Sequence, residues 1–420
     1  MTHIWPQPAG GVNGALTDLK TNTLSVRMPN SITAFGDLRT AELNPIIQIA
    51  FTYTVDNTEI LTNTETNGGT VTQDTGMAVV RTNTTTGAVA RLESYRHAKY
   101  SPGMGGMLRY TALFTTGVAG TSQWSGLADE VGSSADFKNG YMIGYNGDTF
   151  GVARFNNDVL NFTPLSECDD PLDGTGPSGM IIDTTKLNVF QIQFEYLGAG
   201  AIEFWIEDQA SDVFIKFHTI AYANRNTVPS TVNPNFHIML HADNKATTTD
   251  LTIKSSSMAY FIEGFSRYNK LHKPEFSSGR RSKNSVTSEV ALFTIRNKAS
   301  YASKDNFIDI VLERLSIGIQ ANGATNLAQW RLVKDATLGG SPSYTDINTS
   351  NSVVDIDTAG TTVTGGKDLI SGDLAGQNDK DAVGFIDFDI ILQAGETITL
   401  AVQSANSATI NGSVLWKELF

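Results

Sequence analysis

The chain has 420 residues, more than the roughly 250–300 residues that one hydrophobic core serves, so its length predicts two domains. Hydrophobic residues make up 40% of the sequence and charged residues only 17%, which indicates a globular chain rich in uncharged polar side chains. The net charge of −13 argues against a nucleic-acid partner, because binding to phosphates requires a concentrated positive surface.

The single cysteine, Cys168, excludes an internal disulfide and a zinc cluster built on cysteines. Residues 1–16 lack the basic and apolar segments of a secretory signal. No window approaches the roughly 18 apolar residues of a membrane span. We therefore expect a protein that is assembled in a cytosol and does not insert into a membrane.

Residues 1–35 are rich in proline and glycine and contain few bulky side chains after Trp5. Such a segment cannot form a core alone, so we predict an extended N-terminal arm. Two alternatives stay open: a disordered terminus, or an arm laid across a neighbouring subunit with Trp5 as its anchor.

Residues 36–265 carry a dense series of strand signals, in which apolar and polar side chains alternate between turns rich in Gly, Asn and Asp. The strongest signal is the pair YMIGY and FGVARF across Asn146–Asp148, which predicts a β-hairpin. The density of short strands predicts a two-sheet β-sandwich of the jelly-roll or concanavalin-like type. The predicted strands are Ile46–Thr54, Met77–Thr82, Ala88–Glu93, Leu108–Phe114, Gly140–Tyr145, Thr149–Phe155, Asn188–Tyr196, Ala201–Glu207, Val213–Tyr222, Phe236–Ala242 and Thr249–Ala259.

Residues 266–285 lose the alternation and gain charge, which predicts a linker in which Arg280–Lys283 is a solvated charge run. Residues 286–420 predict a second β-sandwich domain, so the whole chain is expected to be all-β. Phe307–Ile319 also fits an amphipathic helix in part, but its β-branched residues and Gly318 favour a strand. The other predicted strands are Val290–Asn297, Ala328–Lys334, Val353–Asp357, Thr362–Thr364, Ala382–Leu392, Thr397–Ser404 and Thr409–Lys417.

Glu203 and Glu207 fall on one face of a predicted strand, which raises the possibility of a glycosidase. Residues four apart on a strand are separated by about 13 Å. A retaining pair of carboxyl groups needs about 5–5.5 Å and an inverting pair about 6.5–9.5 Å. We therefore expect no catalysis from this pair and predict a protein that is not an enzyme.

Several other patterns suggest a metal or cofactor site at first, but their spacing or their neighbours argue against one. The loop Glu167–Gly174 gathers four carboxylates, as calcium loops do, but it lacks the EF-hand spacing. We interpret it as an acidic turn, with a structural cation as the alternative. His237 and His241 would lie about 13 Å apart on a strand, and His97 has no triad-like neighbours. Gly103–Gly106 is interpreted as a turn, and no metal or cofactor is predicted.

The remaining candidates are aromatic. Trp124, Tyr141, Tyr145 and Trp205 could stack on sugar rings, although core packing is the main interpretation for most of them. We name Trp5, Trp124 and Trp205 as the candidate contacts for a glycan or a protein partner.

Four blocks occur in fixed order within about residues 90–265: ESYRHAKYSPGMGGMLRYTALFTTGVAGTSQW, GYMIGYNGDTFGVARF, DPLDGTGPSGMIIDTTKLNVFQIQFEYLGAGAIEFWIED and FHTIAYANRN. They resemble a family of virion structural proteins from double-stranded DNA viruses, chiefly tailed phages. The C-terminal AGETITLAVQSANSATINGSVLWKELF is similar to the last strands of jelly-roll domains on viral fibres. The resemblance implies β-sandwich heads, usually trimeric, that are displayed on the particle, and it brings no catalytic residues.

The predicted function is that of a non-enzymatic virion structural protein, a fibre, spike or capsid decoration component. It would be assembled in the host cytoplasm and attached through its N-terminal region to other virion or capsid proteins. A homo-oligomer is expected, with a trimer favoured, and a stable monomer in sedimentation would contradict this. The alternatives are a protein that binds a host-surface glycan or receptor, and a glycoside hydrolase.

Overall fold

A computed structural model describes the chain in two compact units, Met1–Ser266 and Arg267–Phe420. The described residues are 41–55, 60–264, 273–320, 327–375, 379–385 and 390–420, together with the backbone of 16–18, 23–25 and 321. Within them the chain is all-β, as predicted, and the single helical element is the 3₁₀ turn Leu165–Glu167. Among these residues no helix has the length and hydrophobicity that crossing a bilayer requires.

The N-terminal unit contains eighteen of the described strands. They are β1 (Leu16–Asp18), β2 (Thr23–Ser25), β3 (Leu43–Ala50), β4 (Leu61–Thr66), β5 (Thr70–Asp74), β6 (Met77–Arg81), β7 (Val89–Ser94), β8 (Gly105–Phe114), β9 (Ser122–Ala128), β10 (Gly140–Asn146), β11 (Thr149–Asn156), β12 (Val159–Pro164), β13 (Asn188–Phe194), β14 (Ile202–Glu207), β15 (Phe214–Ile220), β16 (His237–Asp243), β17 (Thr252–Ser255) and β18 (Ser257–Glu263).

Two antiparallel sheets enclose the core of this unit. The seven-stranded sheet has the order β12-β11-β10-β9-β16-β7-β4. The nine-stranded sheet has the order β15-β14-β13-β8-β17-β6-β5, and β18 also pairs with β8 and then with β3. Strand β14 shows why the sheets pack: Ile202, Phe204 and Ile206 are buried, while the residues between them face outwards. Burying each such side chain contributes about 1.5–3 kcal/mol.

The predicted hairpin is confirmed. Strands β10 and β11 pair in a register that places Asn146 opposite Thr149 and leaves the two-residue loop Gly147-Asp148. Gly147 has a φ of +68°, a conformation that glycine adopts without a steric penalty.

Strand β9 is absent from the prediction, and the predicted strand Thr249–Ala259 is two strands. All seven residues of β9 are buried, so both faces are covered and the sequence shows no alternation. The chain leaves the ladder at Ser256, which separates β17 from β18. The N-terminal arm lies outside the described residues, Trp5 included, except for β1 and β2, which pair with each other.

The C-terminal unit is the predicted second β-sandwich. Its strands are β19 (Glu275–Ser277), β20 (Arg281–Val286), β21 (Val290–Asn297), β22 (Ser300–Tyr301), β23 (Lys304–Asp305), β24 (Ile310–Ala321), β25 (Leu327–Lys334), β26 (Thr337–Leu338), β27 (Tyr344–Asp346), β28 (Val354–Asp357), β29 (Val363–Thr364), β30 (Lys367–Ala375), β31 (Lys380–Gly384), β32 (Ile391–Leu392), β33 (Thr397–Ser404) and β34 (Ala408–Glu418). One sheet has the order β19-β34-β24-β31, with β20 and β32 at its margins, and the other has the order β27-β28-β21-β33-β25-β30.

The predicted linker 266–285 needs correction. Residues 265–272 lie outside the described residues, but β19 and β20 pair with β34 and belong to the C-terminal unit. Strand β20 carries Arg281 and Lys283, and such basic residues on a marginal strand remove the alternation of apolar and polar residues that marks a half-buried strand. The stretch that also fitted a helix is the strand β24, and the predicted strand Ala382–Leu392 comprises the two short strands β31 and β32.

Candidate functional site on the N-terminal unit

One row of outward-facing residues crosses six strands of the nine-stranded sheet. Its members, which we call the polar row, are Gln48, Ala259, Arg109, Gln191, Trp205 and Lys216, in this order from β3 to β15. Direct cross-strand neighbours have Cβ atoms about 4.5–5.5 Å apart. The row is therefore a continuous strip of side chains.

Hydrogen bonds fix the centre of the polar row. Nε and Nη2 of Arg109 donate to Oε1 of Gln191 over 3.1 and 2.7 Å. The guanidinium carbon lies 4.7 Å from the centre of the Phe214 ring. Gln191 is buried, and the neighbouring Gln193 donates to Glu263 over 2.6 Å. Arg109 is thus exposed but held in one orientation.

Trp205 lies on the same face and is partly exposed. Nζ of Lys216 lies 5.7 Å from its ring centre and 3.0 Å from Oε1 of Glu203. The indole Nε1 is buried and has no hydrogen-bond partner among the described residues. Glu203 and Glu207 face outwards on either side of Trp205, as predicted.

A depression of about 470 Å³ lies beside Arg109, over β3, β18 and β8. This volume is within the range of about 300–1,000 Å³ of small-molecule sites. Its lining includes small side chains, hydrogen-bonding groups and an aromatic ring, among them Gln48, Arg109, Thr111, Ser257, Ala259 and Phe261.

The prediction that Trp124 contacts a partner is wrong. Its side chain is completely buried on the outer face of the seven-stranded sheet, in edge-on contact with Phe155 and Phe162, whose ring centres lie 5.7 and 5.9 Å away. Its Nε1 donates to Oδ2 of Asp136 over 2.6 Å. The sequence SQWSG gives no sign of this cover, because Asp136 and Phe162 come from other parts of the chain.

Tyr141 and Tyr145 are buried as core residues, which agrees with the packing interpretation. The hydroxyl of Tyr141 lies 3.1 Å from Oγ of Ser230, and that of Tyr145 lies 2.7 Å from Oγ1 of Thr184. Neither ring is available to a sugar.

The loop Glu167–Gly174 is an acidic turn. Oδ1 and Oδ2 of Asp170 accept hydrogen bonds from the N–H groups of Leu172 and Ser178 over 3.1 and 2.8 Å. Asp173 accepts one from the N–H of Thr175 over 2.9 Å. Within the part of the chain that the structure describes, no three carboxylates of this loop lie close enough to share an ion.

We predict that Cys168 is unreactive in the folded protein. Burial, reinforced by Asp169 and Glu167, raises the pKa of its thiol to about 12. At pH 8 only about one thiol in ten thousand is then the reactive thiolate. A disulfide reagent such as DTNB should label the protein only after it unfolds, and rapid stoichiometric labelling of the native protein would contradict this.

A different acidic group lies on the outer face of the seven-stranded sheet. His241 and Asp243 point outwards from β16, and Asp136 approaches them from the loop between β9 and β10. One potential ligand atom from each of the three lies within 4.8 Å of the others. We call these three residues the acidic cluster. Oδ1 of Asp136 also pairs with Nζ of Lys245 over 3.1 Å.

His241 is the unusual member of the acidic cluster. Its side chain is only 4% exposed, and neither ring nitrogen has a hydrogen-bond partner among the described residues. Burial lowers the pKa of His241, against the opposite effect of Asp136 and Asp243. His237 lies four residues away on the same strand, and its Nδ1 lies 2.5 Å from the carbonyl oxygen of Ser94. The two histidines therefore do not form a pair.

Asp158 fixes the loop that carries Asp136. Its carboxylate accepts hydrogen bonds from Oγ of Ser133 and from the N–H groups of Ser133, Ser134 and Ala135, over 2.6–3.1 Å. The Ser133 hydroxyl and then the backbone N–H groups lower the pKa of Asp158 well below its usual range. The loop is therefore held in place beside the sheet without the help of the acidic cluster.

No protein-family model and no curated protein sequence matches the chain. Among solved structures, the legume lectin-like domain from Entamoeba histolytica matches with a TM-score of 0.31 and 12% identity, over 48% of this chain and 89% of that one. The seed lectin of Lotus tetragonolobus matches with a TM-score of 0.36 and 7% identity, over 52% of this chain and 100% of that one. An endo-acting O-glycanase of the human gut microbiota matches with a TM-score of 0.35 and 11% identity, over 53% of this chain and 100% of that one. These similarities concern the β-sandwich fold and do not indicate what this chain binds.

Proposed function

We propose that the protein binds carbohydrate through the polar row and the depression beside it. The observation that carries the proposal is the row itself, in which an indole ring, a guanidinium and the amide of Gln48 share one exposed sheet face, and the buried amide of Gln191 orients the guanidinium. Sugar hydroxyls pair with planar amide and guanidinium groups, and the C–H faces of sugars pack on aromatic rings. The face offers both kinds of group to one ligand.

Two features favour binding over a merely solvated surface. Arg109 is fixed by Gln191 and Phe214 before any ligand arrives, so less conformational entropy is lost on binding. Ala259 stands between Arg109 and Gln48 in the row, and its small side chain leaves the depression open. We propose binding without catalysis, since Glu203, the carboxylate next to Trp205, is already paired with Lys216.

The first test is a glycan array with the full chain, followed by titration calorimetry with the best glycan. We expect Ala259→Trp, which fills the depression, and Arg109→Ala to weaken that binding about tenfold or more. Tenfold corresponds to about 1.4 kcal/mol, the order of one charge-assisted hydrogen bond. An array without any specific binding would refute the proposal.

The matched control is Arg81→Ala. Arg81 is an exposed arginine of the same sheet, paired with Asp250 and outside the polar row, so its loss should leave glycan binding unchanged. Thermal melting of each variant separates lost contacts from lost folding. Equal binding by the Arg109 and Arg81 variants would place the glycan elsewhere and contradict the proposed site.

Glycan binding is compatible with display on a virus particle, the role that the sequence resemblance implies. That role, with its trimeric assembly and virion partners, stays a prediction. It concerns where the protein acts, whereas the polar row concerns what it binds, so the two are tested separately.

A further inference from the structure

We infer that Asp136, His241 and Asp243 form a binding site for a divalent transition metal ion of the Zn²⁺ or Mn²⁺ kind. The inference does not depend on the proposed carbohydrate binding, because the acidic cluster lies on the other sheet of the sandwich. One imidazole nitrogen and two carboxylates are a mixed donor set that suits these ions. Ca²⁺ and Mg²⁺ prefer oxygen ligands alone.

The spacing of the ligand atoms is close to that of a metal site. Bonds from zinc to nitrogen or oxygen are about 2.0–2.2 Å long, so two ligands of a tetrahedral ion lie about 3.4 Å apart. The three atoms of the acidic cluster lie within 4.8 Å of one another. Rotations of the Asp136 and Asp243 side chains would close the difference.

The lack of hydrogen-bond partners at the buried His241 ring is an independent observation that points to a ligand. A buried polar atom in a folded protein nearly always has a hydrogen-bond partner, but among the described residues neither ring nitrogen of His241 has one. The Phe137 ring lies edge-on to the imidazole, with 5.1 Å between ring centres, and limits its movement. A bound ion would satisfy one nitrogen lone pair.

The two carboxylates are oriented by groups behind them. Trp124 donates to Oδ2 of Asp136 over 2.6 Å, and the N–H of Lys245 donates to Oδ1 of Asp243 over 2.7 Å. Hydrogen bonds of this kind position metal ligands and commonly affect metal affinity by about 10–100-fold.

Two cationic side chains border the acidic cluster. Arg91 on β7 forms an ion pair with Glu93, with 3.2 Å between Nε of Arg91 and Oε2 of Glu93. The Lys245 ammonium pairs with the Asp136 carboxylate, to which a metal ion would also bind. The Lys245 side chain is 38% exposed. We infer that Lys245 occupies the place of the ion and is displaced towards solvent when the ion binds.

The test uses the full chain after treatment with a chelator and its removal. Titration calorimetry with Zn²⁺, Mn²⁺ and Ca²⁺ should show one site for Zn²⁺ or Mn²⁺ and much weaker binding of Ca²⁺. Asp243→Asn should weaken the binding about tenfold or more. Lys245→Met, which removes the competing ammonium, should strengthen it.

His97→Ala is the control for adventitious zinc, because the rings of His97 and His237 lie 4.1 Å apart outside the acidic cluster. It should leave the affinity unchanged. Thermal melting in the absence of metal checks that each variant folds. The inference is overturned if neither Zn²⁺ nor Mn²⁺ binds, or if Asp243→Asn and Lys245→Met both bind like the unmodified chain.

Discussion

Replacement of Trp124 by alanine should lower the free energy of unfolding by about 3–5 kcal/mol, the range for aromatic-to-alanine changes in protein cores. The ring is completely buried in contact with Phe155 and Phe162, so its removal leaves a cavity that the rigid sheet cannot close. The change also removes the donor to Asp136. Denaturant unfolding followed by circular dichroism measures the loss.

Trp205→Ala is the matched control for this prediction. Trp205 is a tryptophan of the same unit that is partly exposed on the nine-stranded sheet, so much less buried area is lost, and we expect a cost below about 1.5 kcal/mol. The two variants should also differ in function. Trp205→Ala should impair glycan binding, whereas folded Trp124→Ala should retain it. Equal destabilisation by the two changes would show that the burial of Trp124 does not add to the free energy of unfolding, and would contradict the prediction.

The two tryptophans show which part of the site is predictable from sequence. Trp205 lies between Glu203 and Glu207 and alternates with the buried residues Phe204 and Ile206, so period-two reasoning places it on the outer face. Trp124 lies in β9, which is covered on both faces. Its cover comes from β12 and from the loop before β10, and local pattern contains no information about either.

The strands were predictable where one face meets the core and the other meets solvent. Strand β14 is of this kind, because its alternation appears in the local sequence. The β10–β11 hairpin is almost wholly buried on both faces, and it was predictable from the turn at Gly147. The sequence predicts linker at strand β20 because its residues are mostly polar and exposed. What makes it a strand is its pairing with β34, from the far end of the chain.

The candidate sites depend on sheet register, and a single sequence does not specify register. The polar row joins Gln48 to Ala259 and Ala259 to Arg109, and a shift of one residue in any of these pairings would turn a member towards the core. In the acidic cluster, His241 and Asp243 share a face by their spacing alone. The third member, Asp136, is brought to them by the pairing of β9 with β16 and by the loop that Asp158 holds.

Glu418→Ala should destabilise the C-terminal unit by at least about 3 kcal/mol. The Glu418 side chain is completely buried, and its carboxylate accepts hydrogen bonds from Oγ of Ser352, the N–H of Val353 and Nε1 of Trp416, over 2.6, 3.0 and 3.1 Å. Alanine would leave three buried donors without an acceptor, and each such donor costs about 1–3 kcal/mol. Denaturant unfolding, followed by the fluorescence of Trp416 and the other tryptophans, measures the change.

Two further variants separate this network from the general effect of losing a glutamate. Glu418→Gln keeps the shape and one acceptor oxygen but presents an amide N–H₂ to one of the three donors, so we expect an intermediate cost. Glu275→Ala removes a glutamate from a neighbouring strand of the same sheet whose side chain is 53% exposed beside Lys417, and exposed ion pairs contribute at most about 1 kcal/mol. The expected order of destabilisation is Glu418→Ala, Glu418→Gln, then Glu275→Ala. If Glu418→Ala costs no more than Glu275→Ala, the carboxylate does not stabilise this end of the sandwich, and the C-terminal unit depends on its apolar core alone.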